Sequence, residues 1–188
     1  MIRLPDFIKP FPAQQDDPPK CENFAAVMRD NFNCMVRRYP IPTQYTNPWD
    51  TNKTIDIIHS QLGDDQGLIE VEKGITDSGV KFIAAITKTY TGPQYGVQYF
   101  LRFNYLVNDE WSEEVDAFFG EEGTTGTRDT IVMAMLGMPK DWMEDPYDKE
   151  FKKGVLKNKS EDKAFDKQFP NHPLTQTRNL LEFLIKNN

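Results

Sequence analysis

The spacing of apolar and polar positions changes along the chain, from a helical period to a strand-like one. Residues 21–38 carry apolar side chains three, four and seven positions apart, which predicts a first helix. A second helix is predicted over residues 52–63, where Asn52 can cap the first turn and Gly63 follows the last one. The apolar face of this second helix consists of Ile55, Ile58 and Leu62.

From residue 67 the apolar positions alternate, which predicts four consecutive strands separated by turn-forming residues. These strands cover residues 67–74, 80–90, 95–107 and 114–119. Short connections between consecutive strands favour antiparallel pairing. The sequence therefore predicts an α+β fold in which an antiparallel β-meander sheet is packed with flanking helices.

The N-terminal residues 1–20 contain five prolines, which remove backbone donors and block helix interiors. This composition predicts an extended arm that is laid over the domain through Phe7, Ile8 and Phe11. A mobile tail is the alternative for the same residues.

The remaining residues, 21–188, are predicted to form a single domain with its core at about residues 50–137. Residues 131–136 fit either a helix or a strand, and a helix is favoured because threonines precede them and can cap it. Spaced aromatic residues and a terminal amphipathic segment at 174–186 predict a helical clamp over 139–188.

The composition excludes several classes of function. The formal net charge is -7 and the pI is about 4.9, so the chain repels nucleic-acid phosphates and anionic membrane surfaces. No apolar run is long enough for a spanning helix, and the N-terminus does not resemble a signal peptide. The two cysteines, Cys21 and Cys34, are expected to be reduced thiols of a cytoplasmic protein, with a disulfide as the alternative.

The glycine-rich segment Gly120–Thr130 is the most conspicuous loop. Its backbone amides, threonine hydroxyls and one arginine could converge on an anion at a helix start. The glycine spacing fits neither a phosphate-binding P-loop nor a dinucleotide fingerprint, so a structural turn is the favoured interpretation. A protein-contact loop and a small-ligand site remain open, and their candidate residues are Glu122, Thr124, Thr125, Thr127 and Arg128.

The third strand offers a second candidate surface. Its odd-numbered residues from Val97 to Val107 are apolar or aromatic and are expected to face the core. Gln98, Arg102 and Asn104 then face outward, where a helix or a partner protein could cover them.

No other residues carry a catalytic or metal-binding pattern. Cys34 is expected in the core, and two distant histidines give no metal-ligand spacing. Adjacent acids such as Glu113 and Glu114 are expected to be solvated on surface turns. The sequence therefore assigns no catalytic residue, no metal and no cofactor.

The order of elements in residues 50–137 resembles the Mog1/PsbP-like α/β/α fold group. The resemblance rests on the helix at 52–62, the strand through Tyr99–Tyr105 and the strand end at Phe118–Gly123. It implies a sandwich fold and a non-catalytic role, since members of this group act as GTPase-binding factors, photosystem subunits and chaperones of secreted effectors. The resemblance carries over no functional residue.

The tail at 158–162 and 169–174 is similar to bacterial proteins of unassigned function, which implies a bacterial origin. Together these features predict a non-catalytic protein-binding module of a bacterial cytoplasm, such as an adaptor, a chaperone or an immunity-type partner. It would be a monomer or homodimer that binds another protein, and neither nucleic acid nor membrane. The alternative is a small-ligand-binding protein or small enzyme that uses the Gly120–Thr130 loop and Arg128.

Overall fold

The computed structural model describes residues 2–27, 32–42, 51–92, 96–121 and 124–188. The strands are β1 (Lys9–Phe11), β2 (Glu22–Val27), β3 (Phe32–Pro42), β4 (Gln66–Ile75), β5 (Lys81–Tyr90), β6 (Val97–Tyr105) and β7 (Trp111–Glu121). The helices are α1 (Thr51–Gln61), α2 (Thr127–Met135) and α3 (Pro173–Asn187), with 3₁₀ helices at Lys159–Glu161 and Lys163–Gln168. The strands form one antiparallel sheet in the order β1-β2-β3-β7-β6-β5-β4, which confirms the predicted α+β class.

The prediction of a helix over 21–38 was wrong, because these residues contribute strands β2 and β3. Within β3, the buried residues Cys34, Val36 and Arg38 alternate with half-buried ones, which is the period of a strand. The helical spacing in the sequence arose by counting apolar residues across two separate strands. β3 instead pairs with β7 along eleven register pairs, from Phe32 opposite Glu121 to Pro42 opposite Trp111.

The two faces of the sheet carry different helices. On the first face, α3 packs four leucines against alternate residues of β6 and its neighbours. The central residues of this cluster are Tyr99, Leu101, Phe103, Leu174, Leu180, Leu181 and Leu184. On the second face, Ile55 and Ile58 of α1 and Leu62, which follows the helix, pack against β4 and β5, as predicted for this apolar face. The sheet therefore lies between two helical layers.

Residues 147–155 run along the outer edge of β4. Val155 N–H donates to Gln66 O at 2.9 Å, and Val71 N–H donates to Tyr147 Oη at 2.6 Å. The two backbones approach so closely that a Cβ on Gly67 would lie 1.8 Å from Val155 O. A residue with a side chain therefore does not fit at position 67 without moving this segment.

The N-terminal arm reaches the core through aliphatic rather than aromatic residues. Ile2 and Ile8 are buried in the cluster on the first face, whereas Phe7 and Phe11 are exposed. Of the three residues expected to contact the domain, only Ile8 does so by burial. The arm also pairs with the sheet, since Lys9–Phe11 form β1 beside β2. No helix in the described parts of the chain is both long and apolar enough to cross a bilayer.

Candidate functional site

The Gly120–Thr130 loop forms the start of α2. Gly126 precedes the helix with a φ of 72°, a left-handed conformation that glycine adopts without strain, and its N–H donates to Glu121 Oε2 at 3.0 Å. Thr124 and Thr127 are exposed and Thr125 is half-buried, while Glu122 lies outside the described residues. Residues 131–135 are helical, as favoured from the sequence.

Arg128 is only 1% exposed, and its guanidinium donates to four acceptors of the protein. These are Ser160 O at 2.7 Å, Thr175 Oγ1 at 3.1 Å, Asp162 O at 3.2 Å and Asp166 Oδ1 at 3.0 Å. Arg128 thereby connects α2 to the two 3₁₀ helices and to α3. A side chain that is used in this way is not open to an external anion.

A second buried ion pair lies in the same layer of the molecule. Lys88 Nζ contacts Glu161 Oε2 at 2.7 Å, and Tyr99 Oη–H donates to Glu161 Oε1 at 3.0 Å. The backbone N–H of Asn158 donates to the same carboxylate at 2.7 Å. Because both carboxylate oxygens of Glu161 have a donor, this cluster holds the 3₁₀ helix Lys159–Glu161 against the sheet. It leaves no carboxylate oxygen of Glu161 for a ligand.

The three candidate residues on β6 all belong to the second face, but their environments differ. Gln98 and Arg102 are half-buried, whereas Asn104 is only 1% exposed. Arg102 also lines a cavity of about 190 Å³ between α1 and the sheet, together with Ile58, Gln61, Leu62, Gln66, Ala85, Thr87 and Phe100. The predicted polar face is therefore partly covered by a helix.

Beside Arg102, strands β3 and β7 bring a tyrosine and two carboxylates together. Tyr39 Oη lies 2.6 Å from Glu114 Oε1 and 2.8 Å from Asp116 Oδ2. Arg102 Nε lies 3.1 Å from Asp116 Oδ1 and 3.4 Å from Glu114 Oε1. The expectation that Glu114 is solvated was wrong, because it is 3% exposed.

Burial is the main cause that raises the pKa of Glu114 above 4.5, and the charge of Asp116 raises it further. Arg102, the Tyr39 hydroxyl and the Asn104 side chain act in the opposite direction and lower this pKa, but they do not compensate fully. Burial and the two carboxylates also raise the pKa of Tyr39, so the phenol keeps its proton. This cluster was not found from the sequence because its members come from three strands.

His59 and Cys34 have structural roles. His59 Nε2 lies 3.0 Å from Asp145 Oδ2 and its ring stacks on Phe151, which joins α1 to the edge segment. Burial raises the pKa of Cys34 to about 12, which makes it a poor nucleophile. Among the described residues, no group of three or more His, Cys, Asp or Glu side chains is placed to hold a metal ion.

An exposed apolar surface lies on α2 and in the turn that ends it. We call Ile131, Met135, Leu136 and Met138 the methionine surface; all four side chains are exposed, with Met135 at 57% and Met138 at 75%. Ile131 and Met135 are four residues apart and so lie on the same side of the helix. The sequence carries a signal of this surface, since four methionines fall within residues 133–143.

The turn after α2 holds Met138 in a fixed, unusual backbone conformation. Gly137 N–H donates to Ala134 O and Met138 N–H donates to Met133 O, which is a Schellman motif. Gly137 has a φ of 71° and Met138 has a φ of 55°, a left-handed conformation that is costly for a residue with a Cβ. The most exposed apolar side chain of this surface is thus presented from a strained backbone.

Comparisons with known proteins identify no family for this chain. No protein-family model matches it, and no curated protein matches it at a significant level.

Proposed function

We propose that this protein is a non-catalytic module that binds another protein through the methionine surface. The observation that carries the proposal is the group of four exposed apolar side chains on a helix that is rigidly anchored from its other side. Contiguous exposed apolar residues mark interaction sites, and methionines are frequent where a surface must adapt to a partner. A left-handed Met138 adds to this, because strained backbone is concentrated at functional positions.

The anchoring of α2 explains why such a surface can be displayed. Arg128 and Val132 fix the buried side of the helix, while Ile131 and Met135 project from its open side. An anchored helix backbone loses little conformational entropy on binding, while the methionine side chains can still adapt to the partner. The fold thus presents the methionine surface in a conformation suited to docking.

The role of an adaptor, chaperone or immunity-type partner in a bacterial cytoplasm belongs to this proposal. Helical layers on both faces of an antiparallel sheet support the resemblance to the Mog1/PsbP-like group, whose members act without catalysis. The alternative, a ligand site at the Gly120–Thr130 loop, requires Arg128 to reach a ligand. Its four bonds to protein acceptors favour the protein-binding proposal instead.

The test is a co-purification of the tagged protein, followed by reconstitution with the purified partner and calorimetric measurement of Kd. The double variant Met135→Gln with Met138→Asn removes the apolar side chains, and asparagine tolerates the left-handed backbone better than methionine. We expect this variant to fold and to bind at least about tenfold more weakly.

The matched control is Val107→Asn, since Val107 is 57% exposed, as Met135 is. Its Kd should equal that of the unmodified protein. The proposal would be refuted if the double variant and the control had equal affinity for the partner. It would also be refuted if the molecule that co-purifies with the unmodified protein were a small molecule.

A further inference from the structure

The hydroxyl of Tyr39 lies between two carboxylates. If both carboxylates were ionised, the cluster would have too few protons for its two short oxygen–oxygen contacts. Tyr39 Oη lies within hydrogen-bond distance of both Glu114 Oε1, at 2.6 Å, and Asp116 Oδ2, at 2.8 Å. A phenol has one proton to donate, and an ionised carboxylate can only accept. With both acids ionised, one of the two short oxygen–oxygen contacts would contain no proton.

The positions of the positive charge decide which acid is protonated. Asp116 accepts from Arg102 through both of its oxygens, at 3.1 and 3.3 Å, and so is the ionised member. Glu114 faces Arg102 through one oxygen only, at 3.4 Å. Its other oxygen, Oε2, is buried and accepts no hydrogen bond of good geometry from the described residues, although the Asn104 side chain is close enough to lower the pKa of Glu114.

We infer that Glu114 is a proton-binding site, in which a neutral carboxylic acid donates to Tyr39, Tyr39 donates to Asp116, and Asp116 is neutralised by Arg102. This chain gives each short contact one proton and leaves one negative and one positive charge in the cluster. It makes the junction of β3, β7 and β6 responsive to pH. The inference is independent of the proposed function, because these residues are on the sheet and not on the methionine surface.

The surroundings of Glu114 support this assignment. Among the described residues, the charged and titratable groups that act on it are Tyr39 from β3, Arg102 from β6 and Asp116 from β7, and Arg37 of β3 lies opposite Asp116 in the register. Arg37 lies 3.7 Å from Asp17 and is neutralised there. Burial first, and Asp116 second, raise the pKa of Glu114, which is the direction that a protonated acid requires.

The sign of the effect on stability follows from the raised pKa. In the unfolded chain Glu114 ionises near 4.5, and in the folded protein it ionises at a higher pH. Between these two values the folded state binds one more proton than the unfolded state, so stability falls as the pH rises through this window. Above the folded pKa, two carboxylates compete for one phenol proton and the strand junction is weakened.

The first test compares the free energy of unfolding between about pH 4.5 and about pH 8 for the unmodified protein and Glu114→Gln. Glutamine keeps the shape of the neutral acid, and its amide can donate to Tyr39. We expect the variant to lose the fall in stability that the unmodified protein shows as the pH rises. The exposed Glu110→Gln is the control and should retain that fall.

The second measurement needs no variant to fold. As the pH is raised from about 4.5, the infrared carbonyl band of a neutral carboxylic acid should persist in the native protein beyond the range in which exposed carboxylates ionise. Absence of this band would overturn the inference. It would also be overturned if Glu114→Gln keeps the unmodified pH dependence.

Discussion

The variant Arg128→Met tests whether Arg128 stabilises the fold or binds a ligand. Methionine keeps the aliphatic volume of the buried side chain but removes the guanidinium. The carbonyl oxygens of Ser160 and Asp162 then lose their Arg128 donor, at about 1–3 kcal/mol for each acceptor left unsatisfied. Asp166 keeps Arg178 at 2.9 Å, which limits the loss at that carboxylate.

The expected total is a decrease of about 3–5 kcal/mol in the free energy of unfolding, which is typical when one member of a buried charged pair is removed. Denaturant unfolding followed by circular dichroism measures this loss, and the control is Arg3→Met at an exposed position. Partner affinity, measured where the variant is still folded, should stay within about threefold of the unmodified protein. A variant that is fully stable but has lost binding would refute the reasoning, because Arg128 would then be a binding residue.

Two further predictions concern packing and reactivity. Gly67→Ala should destabilise the protein by at least about 2 kcal/mol and speed proteolysis at residues 147–155, because its Cβ would overlap Val155 O; Gly120→Ala, whose Cβ would lie 4.0 Å from its nearest neighbour, is the control. In the folded protein, Cys21 should be alkylated before Cys34, because Cys34 is buried and its pKa is raised to about 12. Mass spectrometry of timed samples would contradict this if both thiols reacted at the same rate.

The secondary-structure elements that local interactions determine could be predicted from local patterns in the sequence. Helix α1 and strands β4 to β7 each contain their own period and their own turn residues, so they could be predicted without knowledge of the partners. The two strands within 21–38 could not, because β3 is stabilised by β7, about eighty positions later in the chain. Pairing between strands distant in sequence determined the structure of these residues, although their apolar spacing was typical of a helix.

The candidate site shows the same division. Arg128 follows a glycine-rich turn, which made it a candidate for anion binding, but its acceptors come from residues 160–175. Glu114 looked like half of a solvated acid pair, yet β3 and β6 bury it beside Tyr39 and Arg102. In both cases the residue type was recognised, and its environment depended on contacts distant in sequence.

The segment that runs along β4 also restricts how a partner can bind. A free sheet edge offers backbone donors and acceptors to any extended peptide, and it is a common site for β-strand addition and for edge-to-edge aggregation. On β4, the carbonyl of Gln66 already accepts from Val155, and the N–H of Val71 already donates to Tyr147. An added strand would have to displace both contacts before it could pair with β4 at these positions, which disfavours β-strand addition there.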